Sequence, residues 1–506
     1  MLHPAADFII LKKRVRLYTR RESWYNQQEF EQRIGISMLF SSPVFLFVFL
    51  PAVLLGYYLL RGQKARNLLL LAASLLFYAW GEPVYVFLML FSILANYLLG
   101  LWIQARRGAK GPLILAAALN LGILFLFKYL DFTIENLNAL FGLSLTKVGL
   151  SLPIGISFFT FQALSYCIDV YRGTTELQRN VLDLGLYISF FPQLIAGPIV
   201  RYNSVAEQIR SRKADPELFR QGVERFILGF AKKVLLANNL SIAAERAFAL
   251  AGAGELTAGL AWLGAVSYSL QIYFDFSGYS DMAIGLGRMF GFRFEENFDY
   301  PYISRSVSEF WKRWHISLGR WFRDYIYFPL GGSRVSRAKL LRNLFAVWLF
   351  TGIWHGAAWQ FIVWGLGYGV LVAVEKLTGL PGKLKTGLGK ALYMVLTLLI
   401  VNAGWVLFGA QDLSAGLYQL GAMLGIGTAG SASLVLHLLH ESWIYLAMGL
   451  LLSTPLCTKA LRRLWAGREE KPLWAMGKAA GYLLLLILSV SYLAMGAHNP
   501  FIYFNF

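Results

Sequence analysis

The segment NLFAVWLFTGIWHGAAWQFIVWGLGYG, residues 343–369, is a run of apolar and aromatic residues long enough to cross a lipid bilayer. It contains one histidine, His355. If the segment is one helix, Trp348 and Trp359 share a face with His355, and the imidazole lies among indole rings. Ionisable groups at such depth are costly and usually face the protein interior or a cavity. The segment therefore predicts a membrane fold and a candidate site.

Basic residues flank this segment on both sides. The flanking residues are Arg334, Arg337, Lys339 and Arg342 before it and Lys376, Lys383 and Lys385 after it. Because basic loops are typically cytoplasmic, either one end violates the charge rule or the segment is a hairpin broken near a glycine. The sequence leaves both interpretations open.

A second histidine, His315, lies in SRSVSEFWKRWHISLGRWFRDYIYFPLGGSR, residues 304–334. Helical spacing groups the aromatic and apolar residues of this segment on one arc, opposite its charged residues. That arc contains Trp311, Trp314, Leu318, Trp321, Phe322 and Tyr325. A basic helix with an aromatic face is typical of the membrane interface, so His315 is expected to face the protein from the headgroup level.

A single helical histidine is as often a hydrogen-bonded structural residue as a functional one. Two histidines flanked by tryptophan, one interfacial and one deep, favour function. The tryptophans and the serine beside them are candidate tunnel residues. They are Trp314, Ser317, Trp354 and Trp359.

The composition excludes an ordinary soluble protein, because 57% of the 506 residues are hydrophobic, 16% are aromatic and only 15% are charged. The net charge of +19 arises from basic clusters between apolar runs, as in the cytoplasmic loops of a multi-pass membrane protein. No nucleic-acid-binding pattern accompanies it. The two cysteines, Cys167 and Cys457, support neither a disulfide framework nor a metal cluster.

Residues 1–37 are polar and basic, unlike the rest of the chain. They do not resemble a signal peptide, because no apolar core directly follows the basic part. We expect them to be an extension outside a single membrane-embedded domain of residues 38–506, with Met38 as the natural start.

From residue 39 the chain alternates apolar stretches with basic loops. Together these segments predict an all-α polytopic membrane protein of ten to twelve spanning or re-entrant helices. Spans are expected near residues 39–60, 67–80, 84–105, 112–127, 150–170, 260–276, 391–408, 444–456 and 473–495, with the tail outside. Pro192 and Pro198 break the stretch 180–200. Basic residues flank each of its ends, which places both ends on the cytoplasmic side by the charge rule, so we interpret the stretch as re-entrant. Residues 219–237 form a second basic amphipathic segment.

Asp275, Ser277 and Asp281 lie at the edge of an apolar stretch. One interpretation makes them capping or turn residues around Gly278. The other makes them a polar lining of the cavity that the histidines face. Both remain open.

Other patterns carry little functional weight. His437, His440 and Glu441 share a helix face but not in the zinc-protease order, so no metal site is expected. Gly365 and Gly369 have the spacing of a helix-packing pair. No phosphate-binding loop is present, so an ATP- or NAD-driven mechanism is unsupported.

Several long motifs resemble the membrane-bound O-acyltransferase family, in particular its bacterial branch that includes alginate O-acetylase. They are MLFSSPVFLFVFLP at 38–51, PIGISFFTFQALSYCIDVYRG at 153–173, FPQLIAGPIVR at 191–201, QIYFDFSGYSDMAIGLG at 271–287, FWKRWHISLGRWFRDYIYFPLGGSR at 310–334, FTGIWHGAAWQFIVWGLGYG at 350–369 and the closing NPFIYFNF. The resemblance covers residues 38–506.

The resemblance implies a ring of helices around a thinned centre, with funnels from both faces meeting near a catalytic histidine, here His355. It makes His315 the second motif histidine. It also implies that RWFRDY faces a cytoplasmic acyl carrier, which makes candidate donor-binding residues of Trp321, Arg323, Asp324 and Tyr325. It implies an extracytoplasmic partner acetyltransferase and polysaccharide export machinery in a bacterial inner membrane.

The reaction we expect moves an acyl group, with acetyl favoured, from acetyl-CoA or an acyl-carrier thioester to a hydroxyl reached from the outer face. A buried, neutral His355 would act as the general base, and His315 would hold the donor or the oxyanion. No bound cofactor is required. D-alanyl transfer and peptidoglycan acylation are alternatives, and a transporter or flippase is the alternative outside enzymes, although no inverted repeat is visible.

Overall fold

The computed structural model describes residues 38–213, 215–468, 471–495 and 502. All regular structure within those ranges is helical. The expectation about residues 1–37 lies outside the described residues. Seven helices or continuous helical runs in the described part are long and apolar enough to cross a membrane. The chain is therefore an all-α, multi-pass membrane protein, although a total of ten to twelve spanning or re-entrant helices is not confirmed.

The amino-terminal half alternates long helices with short turns. Its helices are α1 (Leu50–Leu59), α2 (Gln63–Gly81), α3 (Tyr85–Ala105), α4 (Lys110–Leu124), α5 (Leu130–Phe141) and α6 (Ile156–Arg172). One-turn π-helices at Phe45–Phe49 and Phe125–Tyr129 precede α1 and join α4 to α5. Residues 82–84, which include Pro83, separate α2 from α3, and short basic connections lead from α1 to α2 and from α3 to α4.

The stretch interpreted as re-entrant folds into α7 (Val181–Ser189), α8 (Phe191–Leu194) and an extended return to α9 (Tyr202–Arg210). At about 1.5 Å per residue, α7 is far too short to span a bilayer. Residues 184–200 are all buried, so other protein segments cover this irregular backbone. This is the condition under which a membrane tolerates a re-entrant segment.

The basic segment at residues 219–237 is not a separate interfacial piece. It belongs to one continuous run made of α10 (Pro216–Ala231), a π-helix at Lys232–Ala237 and α11 (Asn238–Ala253). This run packs along α12 (Ala258–Met289) through glycines, since a Cβ added to Gly229 would lie 2.5 Å from the carbonyl oxygen of Gly278. Small residues at such a crossing let the backbones approach. Arg225, Lys232 and Lys233 of the run pair with carboxylates of α12, whereas Arg220 pairs with Glu217 and Glu224 of its own helix.

Asp275, Ser277 and Asp281 lie inside the unbroken helix α12, so the capping interpretation is wrong. Both aspartates are ion-paired, and neither lines the two cavities that contain the histidines. Lys233 pairs with Asp275 at 2.7 Å, and Lys232 with Asp281 at 2.6 Å. Charges buried in apolar surroundings need such partners. These two carboxylates therefore hold the α10–α11 run against α12.

The segment at residues 304–334 is not one amphipathic helix. It divides into α13 (Val307–Arg313), α14 (Ile316–Phe322) and a π-helix at Arg323–Tyr327, after a 3₁₀ turn at Pro301–Ile303. The break occurs at His315, whose φ of 45° is left-handed and incompatible with a continuous helix. His315 is 2% exposed, so it lies inside the protein and not at its edge. Trp314, Leu318 and Trp321 of the predicted aromatic and apolar arc are nevertheless buried.

Residues 337–378 form a hairpin, which settles the alternative that the flanking charges left open. Helix α15 (Arg337–His355) ends at His355, and α16 (Trp359–Thr378) returns alongside it. A Cβ on Gly365 would lie 2.5 Å from the carbonyl oxygen of Trp348, which confirms the packing role of the glycine pair. The hairpin's two basic ends therefore lie on one side, taken as cytoplasmic, and its tip points the other way.

The remaining helices are largely exposed on apolar faces, as lipid-facing helices are. They are α17 (Leu380–Lys383), α18 (Gly387–Gly409), α19 (Leu413–Met423), α20 (Ala432–Leu452), α21 (Leu456–Trp465) and α22 (Pro472–Ala494). Most of the tail expected outside lies beyond the described residues. Ile502, which is described, is buried, and its N–H donates to Asp275 at 3.0 Å.

Candidate active site

His355 occupies the last position of α15, at the tip of the hairpin. Its imidazole is enclosed by the rings of Trp354, Trp364 and Phe408, with centroids 4.9, 5.2 and 5.1 Å away. Nδ1 is buried and has no hydrogen-bond partner within the described ranges. Trp359 is not part of this enclosure. The helix ends before it, and its side chain is 54% exposed and donates to Asn136.

The carbonyl groups at the end of α15 are bound by two consecutive residues of another span. Tyr129 donates from its hydroxyl to the carbonyl oxygen of Ile353 at 2.8 Å. Lys128 donates from Nζ to the carbonyl oxygens of Trp354 at 2.6 Å and His355 at 3.3 Å. The last carbonyls of a helix lack partners within it, so these donors satisfy groups that would otherwise be unpaired.

His315 lies beside Trp354, with ring centroids 6.0 Å apart, and is oriented by a polar network. Its Nδ1 lies 3.1 Å from Oδ1 of Asn297, which also accepts from the backbone N–H and hydroxyl of Ser317. Because an amide oxygen only accepts, Nδ1 carries the proton and Nε2 has the lone pair. Asn297 in turn donates from Nδ2 to Ser280 on α12 at 3.0 Å, which fixes the amide orientation.

Two cavities meet at His355. The larger, about 520 Å³, is lined by both histidines and extends to the basic end of the hairpin. The smaller, about 40 Å³, is lined by His355, Trp354, Lys128 and the segment 152–158, on the side of the hairpin tip. The positive-inside rule predicts that the basic end of the hairpin is cytoplasmic, which would place His355 between a cytoplasmic and an outer cavity.

The larger cavity opens among residues at the carboxyl end of α16. Lys312, Glu375, Lys376 and Pro381 line this mouth. The carboxylate of Glu375 accepts from the first backbone N–H groups of α13, those of Val307 and Ser308, at 2.8 Å each. Glu375 therefore caps the short helix that leads to His315.

Several polar atoms around the two cavities have no hydrogen-bond partner among the described residues. They are Nε1 of Trp311 and Trp354, Nε2 of His315 and Nδ1 of His355. Buried polar atoms in proteins are normally paired. A cluster of unpaired donors and acceptors on the walls of one cavity system is typical of a site that takes a polar ligand.

The other predicted site residues pack against neighbouring segments of the fold. Ser317 does not line the larger cavity but connects Asn297 to the re-entrant segment, because its hydroxyl accepts from the N–H of Ile199 at 3.0 Å. Trp321 stacks on Phe161 at 3.8 Å. Ser277 is buried within α12 and lines neither cavity.

Within the RWFRDY segment Phe322 lines the larger cavity, whereas Trp321, Arg323, Asp324 and Tyr325 lie outside both cavity linings. Asp324 pairs with Arg201 at 2.8 Å and with its neighbour Arg323 at 2.8 Å. Tyr325 donates to Asp169 at 2.7 Å. These contacts join the π-helix to the re-entrant segment and to α6.

The sequence analysis missed Asn297 and Lys128. The signal for Lys128 was present, because a lysine inside an apolar run is a candidate functional residue, but the expected span of residues 112–127 stops one position before it. Asn297 lies in a polar loop and had no such signal. No metal centre was expected, and within the described ranges no group of three metal-ligating residues is found; His437 and Glu441 only form an exposed pair.

Comparisons with known proteins agree with this architecture. Residues 178–380 match the model of the membrane-bound O-acyltransferase family. A Pseudomonas putida protein named "Probable alginate O-acetylase AlgI" is 41% identical over 495 residues, which cover 93% of this chain and all of the relative. A Pseudomonas aeruginosa protein of the same name is 46% identical over 399 residues, covering 77% of this chain and 76% of the relative.

A Helicobacter pylori peptidoglycan O-acetyltransferase is 33% identical over 520 residues, covering 93% of this chain and 98% of the relative. These relatives match over nearly their whole length or over most of it. The family match itself contains both histidines and the hairpin. The chain is thus an acyltransferase that belongs to the membrane-bound O-acyltransferase family.

Proposed function

We propose that this protein transfers acetyl groups from a cytoplasmic thioester to a hydroxyl that reaches the site from the outer face, for O-acetylation of an exported polysaccharide such as alginate. The observation that carries the proposal is the position of His355 between the two cavities. A donor entering from one side and an acceptor from the other would meet at this imidazole. The names of the Pseudomonas relatives support alginate as the polymer.

The larger cavity is suited to the arm of a thioester donor, acetyl-CoA or an acyl carrier. Its volume of about 520 Å³ falls in the range of small-molecule sites. Lys312 and Lys376 at its mouth place positive charge where the donor's phosphate would remain. The lone pair on Nε2 of His315 favours accepting a hydrogen bond from an amide N–H of that arm over donating one to an oxyanion.

In the proposed reaction, the neutral imidazole of His355 removes the proton of the acceptor hydroxyl as its oxygen attacks the thioester carbon. The C–O bond forms, the C–S bond breaks, and the thiolate takes the proton from the imidazolium. A positioned general base contributes roughly 10² to 10⁴ in rate, because a hydroxyl at neutral pH is otherwise a poor nucleophile. The aromatic enclosure keeps water away from the thioester.

The outer cavity limits what can approach His355. At about 40 Å³ it admits a hydroxyl on a narrow stem more readily than a sugar ring. This supports transfer first to an extracytoplasmic partner acetyltransferase, which would then modify the polysaccharide together with the export machinery. The site of action would be the bacterial inner membrane.

The test is the acetyl-ester content of exported polysaccharide, measured by NMR in a strain that lacks this chain and in the same strain complemented with it. Esters should disappear in the deletion and return with the wild-type chain. The Helicobacter pylori relative makes peptidoglycan the alternative acceptor, so peptidoglycan O-acetyl groups are measured in the same strains. Unchanged polysaccharide esters with a loss of peptidoglycan esters would replace the proposed acceptor.

A further inference from the structure

Lys128 is a cation in an unusual place. It lies in the π-helix Phe125–Tyr129, within the apolar helical run Lys110–Phe141 that is long enough to cross the membrane. Within the described part of the chain it has no ion-pair partner. A lysine within a membrane span is costly and is a candidate functional residue unless an ion pair accounts for its charge. One-turn π-helices are also frequent at functional sites.

The ammonium group of Lys128 donates hydrogen bonds to the end of α15, the helix that carries His355. Its three hydrogen bonds go to the carbonyl oxygens of Trp354 and His355 and to the hydroxyl of Ser157, the last at 3.3 Å. With Tyr129 bound to Ile353, two adjacent residues satisfy three consecutive carbonyls at the end of α15. The carboxyl end of a helix carries partial negative charge, so a cation there is favourable.

Few polar contacts fix the orientation of the His355 imidazole. Nδ1 of His355 has no hydrogen-bond partner in the described segments, and its neighbours are aromatic rings that impose no polar direction. The chain leaves the helix at once, because Gly356 is extended with φ of −170°. The direction of the imidazole therefore depends on where the backbone of His355 is held, and Lys128 holds it.

We propose that Lys128 is a positioning residue for acyl transfer, whose ammonium group fixes the end of α15 so that the His355 imidazole faces the junction of the two cavities. This inference rests on the proposed function of His355. It assigns Lys128 no contact with the reacting atoms. Its N–H donors and its charge, and not only its bulk, are required, because an apolar side chain would leave the helix-end carbonyls unpaired and their partial negative charge uncompensated.

Chemical rescue tests the role of the charge. Lys128→Ala deletes the equivalent of propylammonium from the lining of the outer cavity. Cells carrying this variant are treated with an inhibitor of protein synthesis and then given propylamine, and the incorporation of radioactive acetate into exported polysaccharide is followed. Lys147→Ala, on the exposed outer loop, is the matched control, and 1-propanol is the uncharged control probe.

Lys128→Ala should lower the transfer rate about 100-fold, the cost typical of a misplaced catalytic group. Propylamine should restore at least a tenth of the wild-type rate, whereas 1-propanol should not, and Lys147→Ala should be unaffected. Because synthesis has stopped, recovery reports on folded protein already in the membrane.

Two results would overturn the inference. Wild-type transfer in Lys128→Ala would show that the ammonium is dispensable. A loss that propylamine does not restore, with normal amounts of protein in the membrane, would leave Lys128 a purely structural residue. If the wild-type chain itself transferred no acetate, the proposed function would fail instead, so the two failures are distinguishable.

Discussion

Asn297 holds His315 in one tautomer, with Oδ1 of the amide 3.1 Å from Nδ1 of the imidazole. The same oxygen accepts two hydrogen bonds from Ser317, and the amide nitrogen donates to Ser280. One side chain thus joins the break between α13 and α14 to the long helix α12. The site depends on this polar connection as much as on the aromatic rings.

Replacing Asn297 with leucine should therefore damage both stability and transfer. The substitution leaves the buried donors of His315 and Ser317 without an acceptor, at about 1–3 kcal/mol for each unsatisfied group. We expect a lower melting temperature of the purified protein in detergent and a clear loss of polysaccharide acetylation. Asn136→Leu is the control, because Asn136 accepts from the exposed Trp359, donates to the carbonyl oxygen of Phe132 on its own helix and lines neither cavity. Equal effects of the two variants would contradict the importance of the network.

The close packing of α15 and α16 predicts that alanine substitutions at two glycines of α16 differ in their effect on stability. A Cβ on Gly365 would lie 2.5 Å from the backbone of α15, whereas a Cβ on Gly367 meets nothing within 4 Å. Gly365→Ala should force α15 and α16 apart, destabilise the protein by about 1–3 kcal/mol and reduce transfer. Gly367→Ala should match the wild type in melting temperature and in acetyl-ester content. Similar behaviour of both variants would mean that the hairpin packs differently.

The ion pair between Lys233 and Asp275 predicts a structural and not a catalytic role for the aspartate. Both side chains are nearly inaccessible, at 3% and 1% exposed. Asp275→Leu strands the lysine charge and should cost about 3–5 kcal/mol, while adding Lys233→Met should recover much of that stability. The double variant should retain acyl transfer. A double variant that is stable but inactive would show that Asp275 has a functional role.

We also propose that residues 38–506 form a single acyltransferase domain to which residues 1–37 are dispensable. All residues that line the two cavities lie between Lys128 and Pro381. Deleting residues 2–37 should therefore leave the amount of membrane-inserted protein and the acetyl-ester content unchanged. A loss of activity in correctly inserted protein would show that the extension contributes to the site.

The sequence predicted the class of fold, because membrane insertion depends on local composition. It also identified both histidines as candidates, because a buried imidazole is costly, and the two side chains line one cavity. It did not predict how those histidines are held. Helical periodicity placed Trp359 beside His355, but a hairpin break at Gly356 turns that indole outward. Periodicity cannot detect such a break when both arms of the hairpin are apolar.

The sequence also did not predict which charged residues pair between distant segments of the fold. Asp275 and Lys233 lie on different helices, and only packing of the α10–α11 run on α12 brings them together. Lys128 meets His355 through contacts separated by hundreds of positions in the chain. Long-range polar contacts of this kind depend on the tertiary arrangement, so local spacing does not predict them.

The most direct test of the account compares His355→Ala with His440→Ala, an exposed histidine on α20, in the strain that lacks this chain. Polysaccharide acetyl esters are measured by NMR at matched levels of membrane-inserted protein. The account predicts a loss of at least about 100-fold for His355→Ala, the contribution of a general base, and wild-type ester content for His440→Ala. Normal acetylation by the His355→Ala variant would contradict the central claim that this imidazole performs the transfer.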